Sequence, residues 1–180
     1  TVKDNYKYKN EKLNKIDFSK SRFILMTAHR RENLGMPLEN ICRAAKRIIS
    51  EYDDVELIYP VHLNPAVRNT VFSILDGVDR VHLLDPIDVE DMHNIMANSY
   101  LVMTDSGGLQ EEGPHFGVPV MVLRTETERP EAVEAGTVSL VGVEEGAIYN
   151  FAKLLLNDKE KYAQMAHAVN PVSYTHLTLP

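Results

Sequence analysis

The sequence predicts an α/β fold, a Rossmann-like doubly wound parallel sheet of about six strands. Three observations predict it. Short apolar runs alternate with longer amphipathic stretches, helix-starting residues stand where those stretches begin, and 44% of the 180 residues are hydrophobic. Strands of about four to six residues that alternate with helices of about ten to fifteen indicate βα repeats on a parallel sheet.

The predicted elements follow one another from Phe23 onwards. Pro37 suits the first turn of the first long helix, where a missing N–H costs little. Asp88, and later Glu144 and Glu145, suit the positive N-terminal ends of the helices that follow them. The strands are predicted at 23–27, 55–59, 81–84, 100–104, 118–123 and 137–141, and the helices at 38–52, 66–75, 89–97, in a glycine-led stretch after Thr104, at 130–135 and at 146–156.

Residues 1–22 differ from the rest of the chain in charge and pattern. They hold six Lys and one Arg against three acidic residues, and their apolar residues are too scattered to predict a core. We therefore expect a linker, or a strap that packs against something outside this sequence. The scattered apolar residues are Tyr6, Tyr8, Leu13, Ile16 and Phe18.

Composition excludes several classes of protein. The single cysteine, Cys42, rules out an internal disulfide framework, and no run reaches the roughly 18 apolar residues of a membrane span. A cytoplasmic protein without membrane contact is the simplest expectation. The net charge of −7 becomes −11 outside the +4 segment 1–22, which argues against nucleic acid as a partner. A small anionic ligand stays compatible with that charge.

No cofactor or metal is predicted. The seven histidines show no metal-ligand spacing, and Cys42 lies mid-helix without an obvious base beside it. Neither a GxGxxG nor a Walker motif is present, so neither NAD nor ATP is indicated.

The strongest candidate loop follows the predicted strand 100–104. Gly107 and Gly108 allow a ligand to approach the backbone, and the Ser106 hydroxyl and first-turn N–H groups are donors for an anion. Gly108 and Glu112 are four residues apart and share a helix face, so Glu112 could accept hydrogen bonds from a ribose attached to a diphosphate. A glycine-rich helix start with two solvated glutamates explains the pattern equally well.

Three other loops end strands at the edge where doubly wound sheets bind ligands. His29, Arg30 and Arg31 form a cationic cluster suited to phosphate. His62 follows the second strand, and Arg129 precedes the helix that Pro130 begins. A solvated basic loop, a structural histidine and a surface ion-pair cluster are the respective alternatives.

Together, the motifs HRREN (29–33), YPVHLNP (59–65), TDSGGLQEEGP (104–114) and TERPEAVEAGT (127–137) closely resemble those of the non-hydrolysing UDP-N-acetylglucosamine 2-epimerases. The resemblance runs from about Arg22 to Pro171. That family has a two-domain GT-B fold with the nucleotide sugar in the interdomain cleft. By resemblance, residues 23–171 are the nucleotide-binding C-terminal half, and the N-terminal domain lies outside this sequence.

The resemblance also implies roles for individual residues and partners. The ligand is UDP-N-acetylglucosamine or UDP, and the full-length protein is expected to be a homodimer. His29 and Arg129 would face the diphosphate and sugar and serve catalysis, and His62 would line the cleft near a second, regulatory UDP-GlcNAc. UDP contacts are implied for Ser106, Gly107 and Gly108 (diphosphate), Glu112 (ribose) and Ile87 (uracil).

The family's mechanism eliminates UDP to give 2-acetamidoglucal and adds UDP back after proton exchange at C2. The carboxylates that move that proton belong to the other domain, so the resemblance implies that this chain is inactive alone. Two departures from the family pattern stand out. His115 replaces a small residue, which we interpret as a local variation, and 172–180 resembles a foreign, cloning-derived tail.

Three other functions stay open. A different GT-B glycosyltransferase would share the glycine-rich loop and the ribose-binding glutamate, but it would need an acceptor. A hydrolysing epimerase would release UDP and free ManNAc. The chain by itself could also be a UDP-binding module or an inert fragment.

Overall fold

Six parallel strands form a single sheet in the computed structural model, which describes residues 5–127 and 130–168. The strands are β1 (Arg22–Thr27), β2 (Val55–Pro60), β3 (Val81–Leu84), β4 (Leu101–Thr104), β5 (Val120–Val122) and β6 (Val138–Leu140). Their order in the sheet is β3-β2-β1-β4-β5-β6. The chain thus builds outward from β1 to β3 and returns to place β4 on the other side of β1, which confirms the predicted doubly wound fold.

Helices connect the strands on both faces of the sheet. They are α1 (Glu11–Asn14), α2 (Met36–Glu51), α3 (Pro65–Leu75), α4 (Val89–Ala97), α5 (Gly107–His115), α6 (Pro130–Glu134), α7 (Glu145–Asn157) and α8 (Lys159–Ala166), with a short 3-10 helix at Arg31–Asn33. The ends of the predicted strands and of the predicted helices given by bounds agree with these to within two residues. Among the described helices, none is both long and apolar enough to cross a membrane.

The four inner strands, β1, β2, β4 and β5, bury side chains on both faces, as is typical of a parallel sheet. In β1, Ile24 and Met26 belong to one core with α2, α3 and α7, whereas Phe23 and Leu25 belong to a second core with α4 and α6. Two apolar layers therefore pack against the sheet, one on each face.

The N-terminal segment packs on this domain. Tyr8 and Leu13 are buried with Phe23 in the second core, and the ring centroids of Phe18 and Phe23 are 4.8 Å apart. The prediction that the apolar residues of 1–22 are too scattered for a core is therefore wrong. Their burial depends on contacts with distant residues, which an aperiodic sequence pattern does not report.

Asp91, in the first turn of α4, anchors this segment. Its carboxylate is almost fully buried and accepts hydrogen bonds from the Tyr6 hydroxyl (2.7 Å) and from the backbone N–H groups of Lys9 and Asn10 (3.0 Å each). The strap, defined as residues 5–21, thus lies against α4 of the same chain. The domain boundary at residue 22 stays a prediction, and the tail predicted at 172–180 lies outside the described residues.

The connections after β1 and β4 leave toward opposite faces of the sheet, which opens a crevice at their carboxyl ends. Thr27 ends β1 and Thr104 ends β4; they are register partners, and their buried hydroxyl oxygens lie 2.6 Å apart. This switch point is where a ligand site is expected in an open parallel sheet.

Candidate functional site

A cleft of about 150 Å³ opens at the carboxyl edge of the sheet, beside the switch point. It brings together four side chains that the sequence singles out from four different loops: His29, His62, Ile87 and Ser106. The lining is completed by Thr27, Pro60, Pro86, Met92 and Leu109. A mostly apolar wall with a few convergent polar groups is typical of a small-molecule site.

A larger groove of about 710 Å³ lies elsewhere, between α2, α3 and α7. Two ion pairs lie at this groove: Arg47 contacts Glu145 at 3.1 Å, and Lys153 contacts Glu51 at 3.2 Å. The Arg47 guanidinium also lies 3.9 Å from the Tyr149 ring centroid. Because this groove lies between helices, away from the carboxyl ends of the strands, the smaller cleft is the better candidate.

Asp105 organises the loop that carries His29. Its carboxylate is fully buried, and Oδ2 accepts hydrogen bonds from the backbone N–H of His29 (3.0 Å), the backbone N–H of Arg30 (2.9 Å) and Nδ2 of Asn33 (3.0 Å). Asn33 also donates to the Leu123 carbonyl at 3.1 Å. One carboxylate at the end of β4 therefore fixes the loop after β1.

The imidazole rings of His29 and His62 stack with their centroids 5.3 Å apart and their planes 12° apart. His62 Nδ1 accepts the Asn64 backbone N–H at 3.1 Å, which holds that ring in place. The His29 side chain is 42% exposed, so it keeps access to the cleft. The two histidines predicted from separate loops thus form one surface of the cleft.

Helix α5 begins at the cleft with its N-terminus open. The Ser106 N–H donates to Thr104 Oγ1 at 2.9 Å, and the Ser106 hydroxyl makes no capping hydrogen bond. A Cβ added to Gly108 would meet nothing closer than Ser106 Oγ at 3.8 Å. Packing within the chain therefore does not require glycine there, and the space beside Gly108 suits an anion at the helix N-terminus.

Glu112 lies one turn further along α5 and is held by a partner that the sequence did not reveal. Its Oε2 lies 3.0 Å from His93 Nε2 on α4, and both side chains are partly exposed. The His93 ring packs 6.0 Å from that of Phe116. Glu112 does not line the small cleft itself, but it shares the α5 face with Gly108, as predicted.

Ion pairs join the loops after β1 and β5. Glu32 Oε1 lies 2.8 Å from Arg30 Nε and 3.2 Å from Arg124 Nε, and the Arg124 side chain is largely buried. Nearby, Gln110 Oε1 accepts the Thr127 hydroxyl at 2.9 Å. Arg129 lies outside the described residues, so its predicted role stays a prediction.

Neither a reactive cysteine nor a metal site is found among the described residues. Burial raises the pKa of the Cys42 thiol to about 12, which makes it a poor nucleophile. Across residues 5–127 and 130–168, no group of three or more His, Cys, Asp or Glu side chains is arranged to hold a metal ion. Binding at the cleft therefore has to rely on backbone N–H groups, hydroxyls and imidazoles.

Sequence reasoning missed Asp105, Asn33 and His93. Asp105 carried a usable signal, because it is an acid between a buried strand and a glycine-led helix. Asn33 and His93 carried none, since their partners are 72 and 19 residues away along the chain.

Comparison with known proteins shows which protein family this chain resembles. Residues 1–175 match the family model of UDP-N-acetylglucosamine 2-epimerase. A Thermotoga maritima relative is 61% identical over 171 residues, which are 95% of this chain and 45% of the relative. The solved S. aureus MnaA with UDP is 50% identical, with a TM-score of 0.88 over 95% of this chain and 46% of that one.

The Neisseria meningitidis UDP-GlcNAc 2-epimerase bound to UDP-GlcNAc is also similar. It is 40% identical, with a TM-score of 0.83 over 89% of this chain and 46% of that chain. The chain therefore spans about half the length of the relatives that it matches.

Proposed function

Because the chain belongs to the UDP-N-acetylglucosamine 2-epimerase family, we propose that the whole protein interconverts UDP-GlcNAc and UDP-ManNAc. Residues 23–171 are then the half that binds UDP. The observation that carries the proposal is the cleft at the β1–β4 switch point, where the open N-terminus of α5 meets His29, His62 and Ile87. The UDP in S. aureus MnaA and the UDP-GlcNAc in the N. meningitidis enzyme support it.

In this proposal the α5 N-terminus holds the diphosphate. Ser106 offers a hydroxyl, and the first-turn N–H groups at Gly107 and Gly108 add donors aligned with the helix dipole. Glu112, one turn later, accepts hydrogen bonds from the ribose hydroxyls. The space beside Gly108 supports this arrangement, because a phosphate can approach the backbone there.

The base and the sugar extend to either side of the diphosphate. Ile87 offers an apolar surface for uracil, and His29 and Arg129 face the diphosphate and sugar. His62, stacked on His29, lines the same space. Elimination of UDP needs its charge stabilised, which helix N–H groups and Arg129 can provide.

The proton exchange at C2 needs an acid and a base. We assign those groups to the other half of the protein, so this chain binds UDP but does not turn over UDP-GlcNAc. Exposed apolar side chains at the carboxyl edge of the sheet support a partner domain that covers this edge. They are, with their exposed fractions, Met36 (61%), Leu63 (63%), Val89 (69%) and Leu140 (38%). The other half packs over this edge, and the whole protein forms a homodimer.

UDP binding by this chain is tested by calorimetry with two variants. Glu112→Ala should weaken UDP about tenfold, because hydrogen bonds to a charged group are worth about 1.5–3 kcal/mol. Glu111→Ala removes the same charge from the next position on α5, turned by about 100°, and should leave the affinity unchanged. Equal losses in both variants, or no UDP binding by folded chain, would contradict the proposed site.

The reaction itself is tested with the full-length protein. Incubation of UDP-GlcNAc should yield UDP-ManNAc without an acceptor, and in D₂O deuterium should enter at C2. Release of free ManNAc would indicate a hydrolysing epimerase, and a requirement for an acceptor would indicate a glycosyltransferase. The 180-residue chain should show no turnover under the same conditions.

A further inference from the structure

We propose that Asp105 is a positioning residue for His29, holding the imidazole with a proton on Nδ1 and leaving Nε2 for the cleft. The two oxygens of the buried Asp105 carboxylate have different surroundings. Oδ2 accepts three hydrogen bonds, whereas Oδ1 has no hydrogen-bond partner among the described residues and lies 3.9 Å from His29 Nδ1.

A buried carboxylate oxygen without a donor is costly, so a nearby N–H group gains free energy by turning toward it. The His29 imidazole can supply that N–H. Its backbone is fixed by Asp105 Oδ2, and its remaining freedom is rotation of a side chain that is 42% exposed. A movement of about 1 Å closes the gap to hydrogen-bond distance, and catalytic hydrogen bonds are often this long before a ligand binds.

The surroundings of His29 restrict where the imidazole can go. The His62 ring stacks on one face at a centroid distance of 5.3 Å, and Asp105 lies on the Nδ1 side. A ligand in the cleft would exclude water from the pair and so strengthen the attraction between imidazole and carboxylate. The contact therefore tightens when the site is occupied.

A fixed Nδ1–H has a chemical consequence. In neutral imidazole one nitrogen carries the proton and the other accepts, so a hydrogen bond from Nδ1–H to Asp105 makes Nε2 the acceptor. The carboxylate also stabilises the imidazolium that forms if Nε2 takes a proton. This inference rests on the proposed function, to which it adds a defined tautomer of the His29 imidazole.

The direct test is the ¹⁵N NMR signal of the His29 side chain in this chain. Wild type should show the Nδ1–H tautomer. Asp105→Asn keeps one oxygen for the three donors and places an NH₂ group where Oδ1 was, so it should shift His29 to the Nε2–H tautomer. Wild-type His29 in the Nε2–H form, or an unchanged tautomer in folded Asp105→Asn, would overturn the inference.

Asn33→Ala is the matched control. It removes another hydrogen bond to Asp105 Oδ2 without touching the His29 ring, so it should lower stability and leave the tautomer unchanged. A tautomer change in Asn33→Ala would mean that loop order in general, and not Oδ1, sets the state of His29. The wild-type spectrum alone decides the case if Asp105→Asn does not fold.

Kinetics of the full-length enzyme complete the test. Asp105→Asn should lower kcat about 10- to 100-fold with little change in KM, by analogy with the loss of carboxylates that orient metal-binding histidines. In a His29→Ala background the same change should have almost no further effect. An equal loss in both backgrounds would overturn a role through His29. Inactive wild type would refute the proposed function and leave the tautomer result standing.

Discussion

His93 Nε2 lies 3.0 Å from Glu112 Oε2, and this pair ties α4 to α5 beside the candidate site. Helix α4 also carries Asp91, which anchors the strap, and Met92, which lines the cleft. The ribose-binding carboxylate proposed above is therefore held by a helix that also contacts the N-terminal segment.

Replacing His93 with alanine should weaken UDP binding about two- to fivefold. The reason is that Glu112 loses its partner and becomes free to rotate, and a partly exposed contact of this kind is worth less than about 1 kcal/mol. Calorimetry measures the effect, and His115→Ala, an exposed histidine on α5, serves as the control. In a Glu112→Ala background the His93 change should have no effect; an additive loss would contradict this link.

Two glycines of α5 should respond in opposite ways to alanine. A Cβ on Gly113 would come closer to Val120 Cγ2 than van der Waals contact allows, so Gly113→Ala should cost about 1–3 kcal/mol of unfolding free energy. Gly108→Ala should keep or slightly raise stability, because alanine favours helix, but it should weaken UDP binding. Urea unfolding and calorimetry of both variants provide the comparison, and a stable Gly113→Ala would refute the close packing.

The stability that Asp88 contributes should depend on pH. The backbone N–H of Asp91 and the Lys9 ammonium, 2.7 Å away, lower the Asp88 pKa from its ordinary value of 3.8. Because the Asp88 pKa is lower in the folded than in the unfolded chain, its contribution to the free energy of unfolding is complete above pH 3.8. That contribution is lost as the pH falls through the folded-state pKa.

Asp88→Asn keeps a capping oxygen but removes the charge. The variant should be less stable than wild type at pH 7, and the difference should shrink below pH 4. Urea unfolding at pH 7 and below pH 4 measures this difference, with the exposed Asp53→Asn as the control. A difference that is independent of pH would show that the charge of Asp88 does not contribute.

Leu13→Ala should destabilise the chain by about 2–5 kcal/mol. Leu13 is fully buried although it lies in the strap, so its truncation leaves a cavity under α1. Leu63, which is 63% exposed, provides the control, since Leu63→Ala should change the unfolding free energy by less than about 0.5 kcal/mol. Equal, small effects in both variants would mean that the strap is not part of the folded unit.

The sequence predicted the sheet well because strand and helix signals are local. The strand predicted at 23–27 and the helix Val89–Ala97 are recognisable from their own residues and their immediate neighbours. Asp88 marks the start of that helix. The edge rule for parallel sheets then predicted that His29, His62 and Ser106 lie together, and the family resemblance added Ile87.

What the sequence did not reveal depends on distant contacts. Tyr8 and Leu13 are buried in a core that includes Ile95 and Met96 of α4, and the neighbouring Lys9 and Asn10 bond to Asp91, which is 82 and 81 residues later. Helix α8 is mainly polar and buries only Met165, so its apolar pattern is weak. The pairing of His93 with Glu112 likewise requires the relative placement of two helices.

The three hydrogen bonds of Asp105 Oδ2 also set an order of events during synthesis. The ribosome makes the His29–Asn33 loop some 72 to 76 residues before the carboxylate that anchors it. A nascent chain that ends before Asp105 lacks that anchor, and closing so long a loop requires β4 to dock beside β1 first. The loop after β1 is therefore fully anchored only once β4 and Asp105 have been made, so the cleft is completed late, together with the centre of the sheet.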